Sequence, residues 1–217
     1  MLYFTYSAPA VSGIICQNTF LYNLRILFSV AEDGVLDDMV RALREEVRGA
    51  AGRNPKPSTG SIDSQTVKSA DPGTDVGYDG GKKIKGRKRH IVVDLLGLLL
   101  VVIVHSVGIQ DRARARWVSA KLSLYFDTIK LIWADSGYTG KMMIDWAISL
   151  FNIIWTVIKR PRKIFKIVKF RWIVERTFGW MNYQRRLSKD YEYLPQSSEA
   201  FVKYAAIGMM LRRISPG

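Results

Sequence analysis

The chain of 217 residues sets 33 lysines and arginines against 19 aspartates and glutamates, a net charge of +14 at neutral pH, and 48% of its residues are apolar. That length and apolar content suffice for one large folded unit and exclude general disorder. The basic surplus favours a polyanionic partner, nucleic acid before membrane, and the lone Cys16 excludes an internal disulfide or a cysteine-built zinc site.

Residues 1–30 are apolar, but they lack a basic first region and Arg25 interrupts them, which argues against a secretory leader. No run reaches the roughly 18 uncharged apolar residues needed to cross a bilayer. "LGLLLVVIVH" is short and β-branched and reads as a buried strand. Cytoplasmic residence without membrane attachment is therefore the expectation.

Residues 35–51, "VLDDMVRALREEVRGAA", place Leu36, Met39, Val40, Leu43 and Val47 at helical spacing, with Gly52 as the stop. The turn-rich "GRNPKPSTGS" follows and marks the best boundary, dividing a 1–56 segment from a 57–217 domain. "SIDSQTVKS" reads as a strand, and "DPGTDVGYDGGKKIKG" as a glycine-rich charged excursion. "RKRHIVVDLLG" and "LLLVVIVHSV" form a hairpin turning near Gly97. The spacing then predicts a helix over 110–126, a strand ending at Asp135, a helix over 141–151 and a strand over 153–161. A helix over 171–189 and a closing helix capped by Ser197 or Ser198 complete the chain. Three strands, then alternating helices and strands, imply an α/β fold: a ribonuclease H-like mixed five-stranded sheet flanked by helices. A doubly wound flavodoxin-type sheet is the alternative order.

Within that order Asp63 lies in the first long strand, Asp135 at the carboxyl end of a later one, and Glu175 on the helix after the last. Open α/β sheets build sites at strand carboxyl ends, so parallel neighbours would bring Asp63 and Asp135 together beneath Glu175. Three carboxylates without histidine or cysteine suit hard cations, Mg²⁺ or Mn²⁺. Two such ions about 3.5–4 Å apart activate an attacking oxygen and stabilise the leaving one at a phosphodiester. Structural roles stand beside these: a turn cap for Asp63, an Asx-turn before Gly137 for Asp135, an ordinary Arg171–Glu175 pair for Glu175. Asp94 ends a strand before a Leu-Leu-Gly turn and reads as structural. His90 and His105 read as ordinary strand residues.

"GGKKIKGRKRH" holds six cations, Lys82, Lys83, Lys85, Arg87, Lys88 and Arg89, between two candidate site strands, which favours tracking of DNA phosphates. It has no P-loop spacing. On a wheel, Arg171, Glu175, Gly179, Asn182, Arg186 and Lys189 share one stripe. Trp172, Trp180 and Tyr183 read as core packing before base stacking.

The motifs "IDSQTVKS", "GYDGGKKIKGRKRHIVVD", "GIQDR", "WADSGYTG" and "RWIVERTFGWMNYQRRLSKDYE" resemble those of DDE transposases of bacterial insertion sequences over roughly residues 35–213. The resemblance implies a ribonuclease H-like core with Asp63, Asp135 and Glu175 as catalytic, metal-binding acids. It also implies two Mg²⁺ or Mn²⁺ ions, and double-stranded DNA, both terminal inverted repeats and target, as substrate. An enzyme that cleaves strands and transfers the 3′-hydroxyl, active as a homo-oligomer at the bacterial nucleoid, follows as the expectation. Arg171, Arg186 and Lys189 would serve DNA phosphates, and Gly179 would let the duplex or the sheet approach. Asn182 departs from the lysine or arginine that many relatives carry seven residues after the glutamate. The helix at 35–51 resembles only part of the usual helical DNA-binding region, which implies an N-terminally truncated member. An inactive DNA-binding remnant and a nuclease without strand transfer stay open as alternatives.

Overall fold

A computed structural model describes residues 34–70, 73–109, 111–158 and 170–215. Cys16 and the apolar stretch at 1–30 lie outside the described residues. Helix α1 (Val35–Ala50) begins beside Gly34, carries Asp37 and Asp38 in its first turn, and buries Leu36, Val40 and Val47. Acids there complement the helix dipole, so both pattern and charge favour this start.

Strand β1 (Thr59–Lys68) pairs antiparallel with β3 (Ile84–Val93) from Ser61 opposite Val93 to Lys68 opposite Gly86. On its other side β1 pairs parallel with β5 (Leu131–Ala134), which pairs parallel with β6 (Ile154–Val157). The outer edge of β3 is shared end to end. Strand β2 (Gly77–Asp79) takes Ile84 to Gly86, and β4 (Leu99–Ser106) takes Arg87 to Val93. The long strands thus run in the order β4-β3-β1-β5-β6, an antiparallel meander continued by parallel strands. This is the expected ribonuclease H-like mixed sheet, with one addition: β2 is a sixth strand within the excursion expected to be a loop.

Strand alternation decides which face each apolar residue serves. Ile91, Val93, Val102 and Val104 join a core with α1, α4 (Arg171–Asn182) and α5 (Pro195–Ile214). Ile62, Val92, Val101, Ile103 and Ile132 point the other way, towards α2 (Asp111–Tyr125) and α3 (Lys141–Phe151). Helix α1 lies before the boundary expected at 56/57, yet it shares the first of these cores with the sheet. A buried ion pair reinforces the contact. Arg48 donates to Asp94, whose other oxygen accepts from the Leu96 and Leu98 amides at 2.9 and 2.8 Å and shapes the β3–β4 turn. Asp94 is structural, as its sequence context suggests. Gly97 closes that turn at φ +80, a backbone region that favours glycine.

The exposed edge of β4 is sealed by side chains. Val104 N–H donates to Glu199 at 2.9 Å, Val102 C=O accepts from Lys121 at 3.0 Å, and Lys121 and Glu199 pair at 3.2 Å.

Two helix expectations change. Helix α4 stops at Asn182, and a 3-10 turn at Arg185–Leu187 follows. The carbonyls of Leu187 and Lys189 accept from the buried Arg89 guanidinium instead of from later helix amides. Helix α5 starts at Pro195 and not after Ser197 or Ser198. Proline at the first helical position needs no N–H partner, and both serines are buried inside the first turns.

Candidate active site

The parallel register sets Thr59, Gly60 and Ser61 beside Leu131, Ile132 and Trp133. Two positions further along the same register bring Asp63 level with Asp135, just past the end of β5. Neighbouring strands lie about 4.8 Å apart, so the two carboxylates share one crevice. The third acid arrives on α4, whose first turn is fixed to β5 by the Phe170 ring lying on Trp133, centroids 3.8 Å apart and planes within 5°. That contact sets Arg171 beside the strand end. Its Nε donates to Glu175 Oε1 at 2.9 Å, and its Nη2 stands 3.4 Å from Asp135 Oδ2.

The carboxylates differ in environment. Asp63 accepts from the Ser64 amide at 2.8 Å. Burial, opposed by that hydrogen bond and joined by the charges of Asp135 and Glu175, pushes its carboxyl up to about 6. Asp135 caps the 3-10 turn at Ser136–Tyr138 and accepts from Gly137 N–H at 2.9 Å. The Asx-turn considered for Asp135 therefore exists, and it orients one oxygen while the other faces Arg171.

Behind this crevice lies a group that the sequence pattern did not single out. Asp111 opens α2 and takes Lys88 Nζ at 2.8 Å and Ser64 Oγ at 3.4 Å on Oδ1. His90 Nε2 stands 3.5 Å from the same oxygen, and His90 Nδ1 lies 2.7 Å from the hydroxyl of buried Tyr138. A proton on Nε2, the nitrogen facing Asp111, leaves Nδ1 to accept from Tyr138. Burial holds His90 well below the usual histidine range and raises Tyr138 well above the usual tyrosine range. The signal for Asp111 was its place in "GIQDR", where an acid at a helix start faces a basic strand.

The six cations of the basic run part company. Lys82 and Lys83 are exposed in the β2–β3 turn and Lys85 near the start of β3, and Lys88 reaches Asp111 behind the crevice. Arg87 and Arg89 are corrections to the expected DNA-binding set, because both are buried. Arg87 pairs with Asp190 at 3.2 Å and donates to the carbonyls of Thr74, Glu192 and Tyr193. Arg89 holds Leu187 and Lys189. The run is the start of β3, and these side chains satisfy backbone carbonyls of the 187–193 segment that have no secondary-structure partners.

The end of α4 at Asn182 also breaks the expected stripe. Arg186 leaves the Glu175 row and pairs with Glu192 at 2.8 Å, while Lys189 is exposed. Gly179 has nothing within 4 Å of where a Cβ would stand, so the sheet does not approach it. Trp172 and Tyr183 are exposed and not core residues, since α4 buries Val174, Thr177, Phe178 and Met181. Arg176 lies over both Trp172 and Trp180, at 4.3 and 4.5 Å.

Among the described residues no group of three or more His, Cys, Asp or Glu side chains is set as a metal site. The donor chemistry of Asp63, Asp135 and Glu175 nevertheless fits a hard divalent cation: three oxygen donors on one crevice, with charge repulsion that a cation relieves. Among the described residues no helix is long and apolar enough to cross a membrane.

A mixed sheet of this order is the ribonuclease H-like arrangement, here with Asp63 of β1 level with Asp135 at the end of β5. Residues 54–208 match the Transposase DDE domain family, and the chain belongs to that family. No curated protein gives a significant match. Among solved structures, the chain is similar to one in the cryoEM structure of the simian T-cell lymphotropic virus intasome in complex with PP2A regulatory subunit B56 gamma. The identity is 17% and the TM-score 0.43, over 67% of this chain and 48% of that one. The chain thus matches about half of that chain's length.

Proposed function

We propose that the protein is a transposase of a bacterial insertion sequence that cleaves DNA strands at the element's ends and joins the freed 3′-hydroxyl to target DNA. The observation that carries this reading is the placement of Asp63, Asp135 and Glu175 around one crevice, with family membership beside it. Asp63, Asp135 and Glu175 would hold Mg²⁺ or Mn²⁺, two ions by the family's chemistry, which when bound supply Lewis-acid activation of the attacking oxygen and stabilisation of the leaving one.

The chain's own residues supply the rest. Strand β1 holds Asp63 within its length, level with Asp135 just past the end of β5, and the Phe170–Trp133 stack fixes the third carboxylate through α4. The exposed Lys82, Lys83 and Lys85 can follow the backbone of a duplex. Lys88 stands at the inner end of that path, held by Asp111, where it meets a phosphate next to the reacting one. The protein would act as a homo-oligomer, since two element ends must be handled together, and would work on DNA in the bacterial cytoplasm at the nucleoid.

The test is Glu175→Gln in Mn²⁺, with DNA carrying the sequences that flank the reading frame. Glutamine keeps shape and helix propensity and removes the charge. Nicking should fall by orders of magnitude while duplex binding persists. Equal nicking would return Glu175 to a surface ion pair. Scoring joined products apart from nicks separates a transposase from a nuclease, and absence of both in the unmodified protein identifies a DNA-binding remnant.

A further inference from the structure

We propose that Arg171 is the built-in counter-cation of the acid cluster, exchanged for divalent metal on loading and passed to the DNA backbone. This rests on the metal-binding reading of Asp63, Asp135 and Glu175. The guanidinium engages one oxygen of each of two acids: Nε is bonded to Glu175 Oε1 at 2.9 Å, and Nη2 stands 3.4 Å from Asp135 Oδ2. The Arg171 side chain is 15% exposed and that of Asp135 22%, so this contact is partly sheltered from the screening that weakens surface pairs, whereas Glu175 at 43% meets solvent. A planar fork with donors on two edges can serve two carboxylates from different elements, which an ammonium does less well. Without that bridge, the carboxylates of β1, β5 and α4 would repel across one crevice.

A metal on Glu175 Oε1 and Asp135 Oδ2 competes with the arginine for the same oxygens. A divalent ion bound there would stand within a few ångströms of the guanidinium, and two cations so placed repel strongly in a sheltered crevice. Release needs no helix movement. The first turn of α4 stays anchored by the Phe170–Trp133 stack, and a long flexible side chain rotates outwards. The natural destination is a phosphate of the bound duplex, where Arg171 makes a charge-assisted contact. DNA thereby removes the competitor and tightens metal binding, and by linkage metal tightens DNA binding.

The experiment is a calorimetric Mn²⁺ titration of the full chain, with and without a short mixed-sequence duplex, and thermal melting in chelator. The proteins are unmodified, Arg171→Gln, Arg171→Lys and Glu175→Gln. Arg171→Gln should bind Mn²⁺ about tenfold tighter without DNA, following the removal of one adjacent positive charge. It should melt lower in chelator and lose the gain in Mn²⁺ affinity that DNA gives the unmodified protein. Arg171→Lys, which keeps the charge but not the fork, should show a smaller gain and covers the case that the glutamine variant does not fold. If both arginine variants bind Mn²⁺ no tighter than the unmodified protein, the exchange is wrong while the metal site stands. If Glu175→Gln binds Mn²⁺ as well as the unmodified protein, or nothing binds, the metal-site reading fails and takes the exchange with it.

Discussion

Arg87 and Asp190 lie 3.2 Å apart with both side chains withdrawn from solvent, one on β3 beside β1 and the other in the segment after α4. The same guanidinium satisfies three backbone carbonyls. Removing one partner of such a pair strands the other's charge in the interior, at about 3–5 kcal/mol. Arg87→Met should therefore lower the unfolding midpoint sharply in a denaturant titration. Unchanged stability would mean that the arginine is available for DNA after all.

The exposed lysines predict the opposite pattern. Replacing Lys82, Lys83 and Lys85 together by alanine should leave thermal stability within about 0.5 kcal/mol, as at other surface positions. The slope of log affinity for duplex DNA against log salt should become shallower, by about 0.9 for each phosphate that is no longer neutralised. Fluorescence anisotropy across a salt series measures it. An unaltered slope would remove these lysines from the interface.

Asp63 carries a cost in the metal-free protein. Its folded carboxyl is raised to about 6 from an unfolded value near 3.8, so ionising it destabilises the fold. The sign follows from linkage: the penalty is absent below the unfolded value and fully present above pH 6. In chelator, Asp63→Asn should match the unmodified protein at pH 3 and gain on the order of 2–3 kcal/mol by pH 7. Thermal melts at several pH values test this, and a constant difference across pH would contradict it.

His105 works in the other direction. It stacks on His90 with centroids 4.8 Å apart and, mainly through burial, titrates at about 4 instead of 6.5. The unfolded chain takes up this proton first, so its contribution is complete above pH 6.5 and is lost as pH falls towards 4. His105→Phe keeps a ring in the stack and removes the titration. Between pH 7 and 4 the variant should lose on the order of 2–3 kcal/mol less stability than the unmodified protein. Parallel pH profiles would show that the histidine does not titrate as its burial requires.

Two glycines separate crowding from openness. A Cβ at Gly86 would stand 1.9 Å from the Val67 carbonyl oxygen, between β1 and β2, so Gly86→Ala should disrupt the strand contact and cost more than about 3 kcal/mol. Gly179 sits inside α4 with open space around it, and Gly179→Ala should stabilise by about 0.5–1 kcal/mol. If duplex DNA passes close to α4, the same alanine should weaken DNA binding while the fold gains. Equal affinity would move the duplex away from that face.

Much of this architecture was legible because apolar alternation and helical spacing are local signals. Ile91 and Val92 point to opposite cores as strand periodicity requires, and Leu36, Val40 and Val47 line one face of α1. Asp63, Asp135 and Glu175 could be placed in elements from the order of strands and helices alone. Arg87 and Arg89 could not be told from Lys82 or Lys88, because their burial depends on carbonyls about a hundred residues away. Asp111 was hidden for a similar reason, since only the fold brings Lys88, Ser64 and His90 to it. The end of α4 likewise follows from Arg89 capturing later carbonyls, and "NYQRRLSK" carries no proline or glycine to announce it.

The sealed edge of β4 limits how copies of this chain can assemble. A strand arriving there would need the Val104 amide and the Val102 carbonyl, and Glu199 and Lys121 already occupy both. The two side chains also hold each other, so dislodging one frees a charge next to the newcomer. Zippering of sheets across this border is therefore disfavoured, which guards a long, apolar strand against the runaway pairing to which uncovered borders are prone. Any multimer built through this side of the molecule must meet helix against helix, and its geometry is then set by the surfaces of α2 and α5, not by the ladder of the sheet.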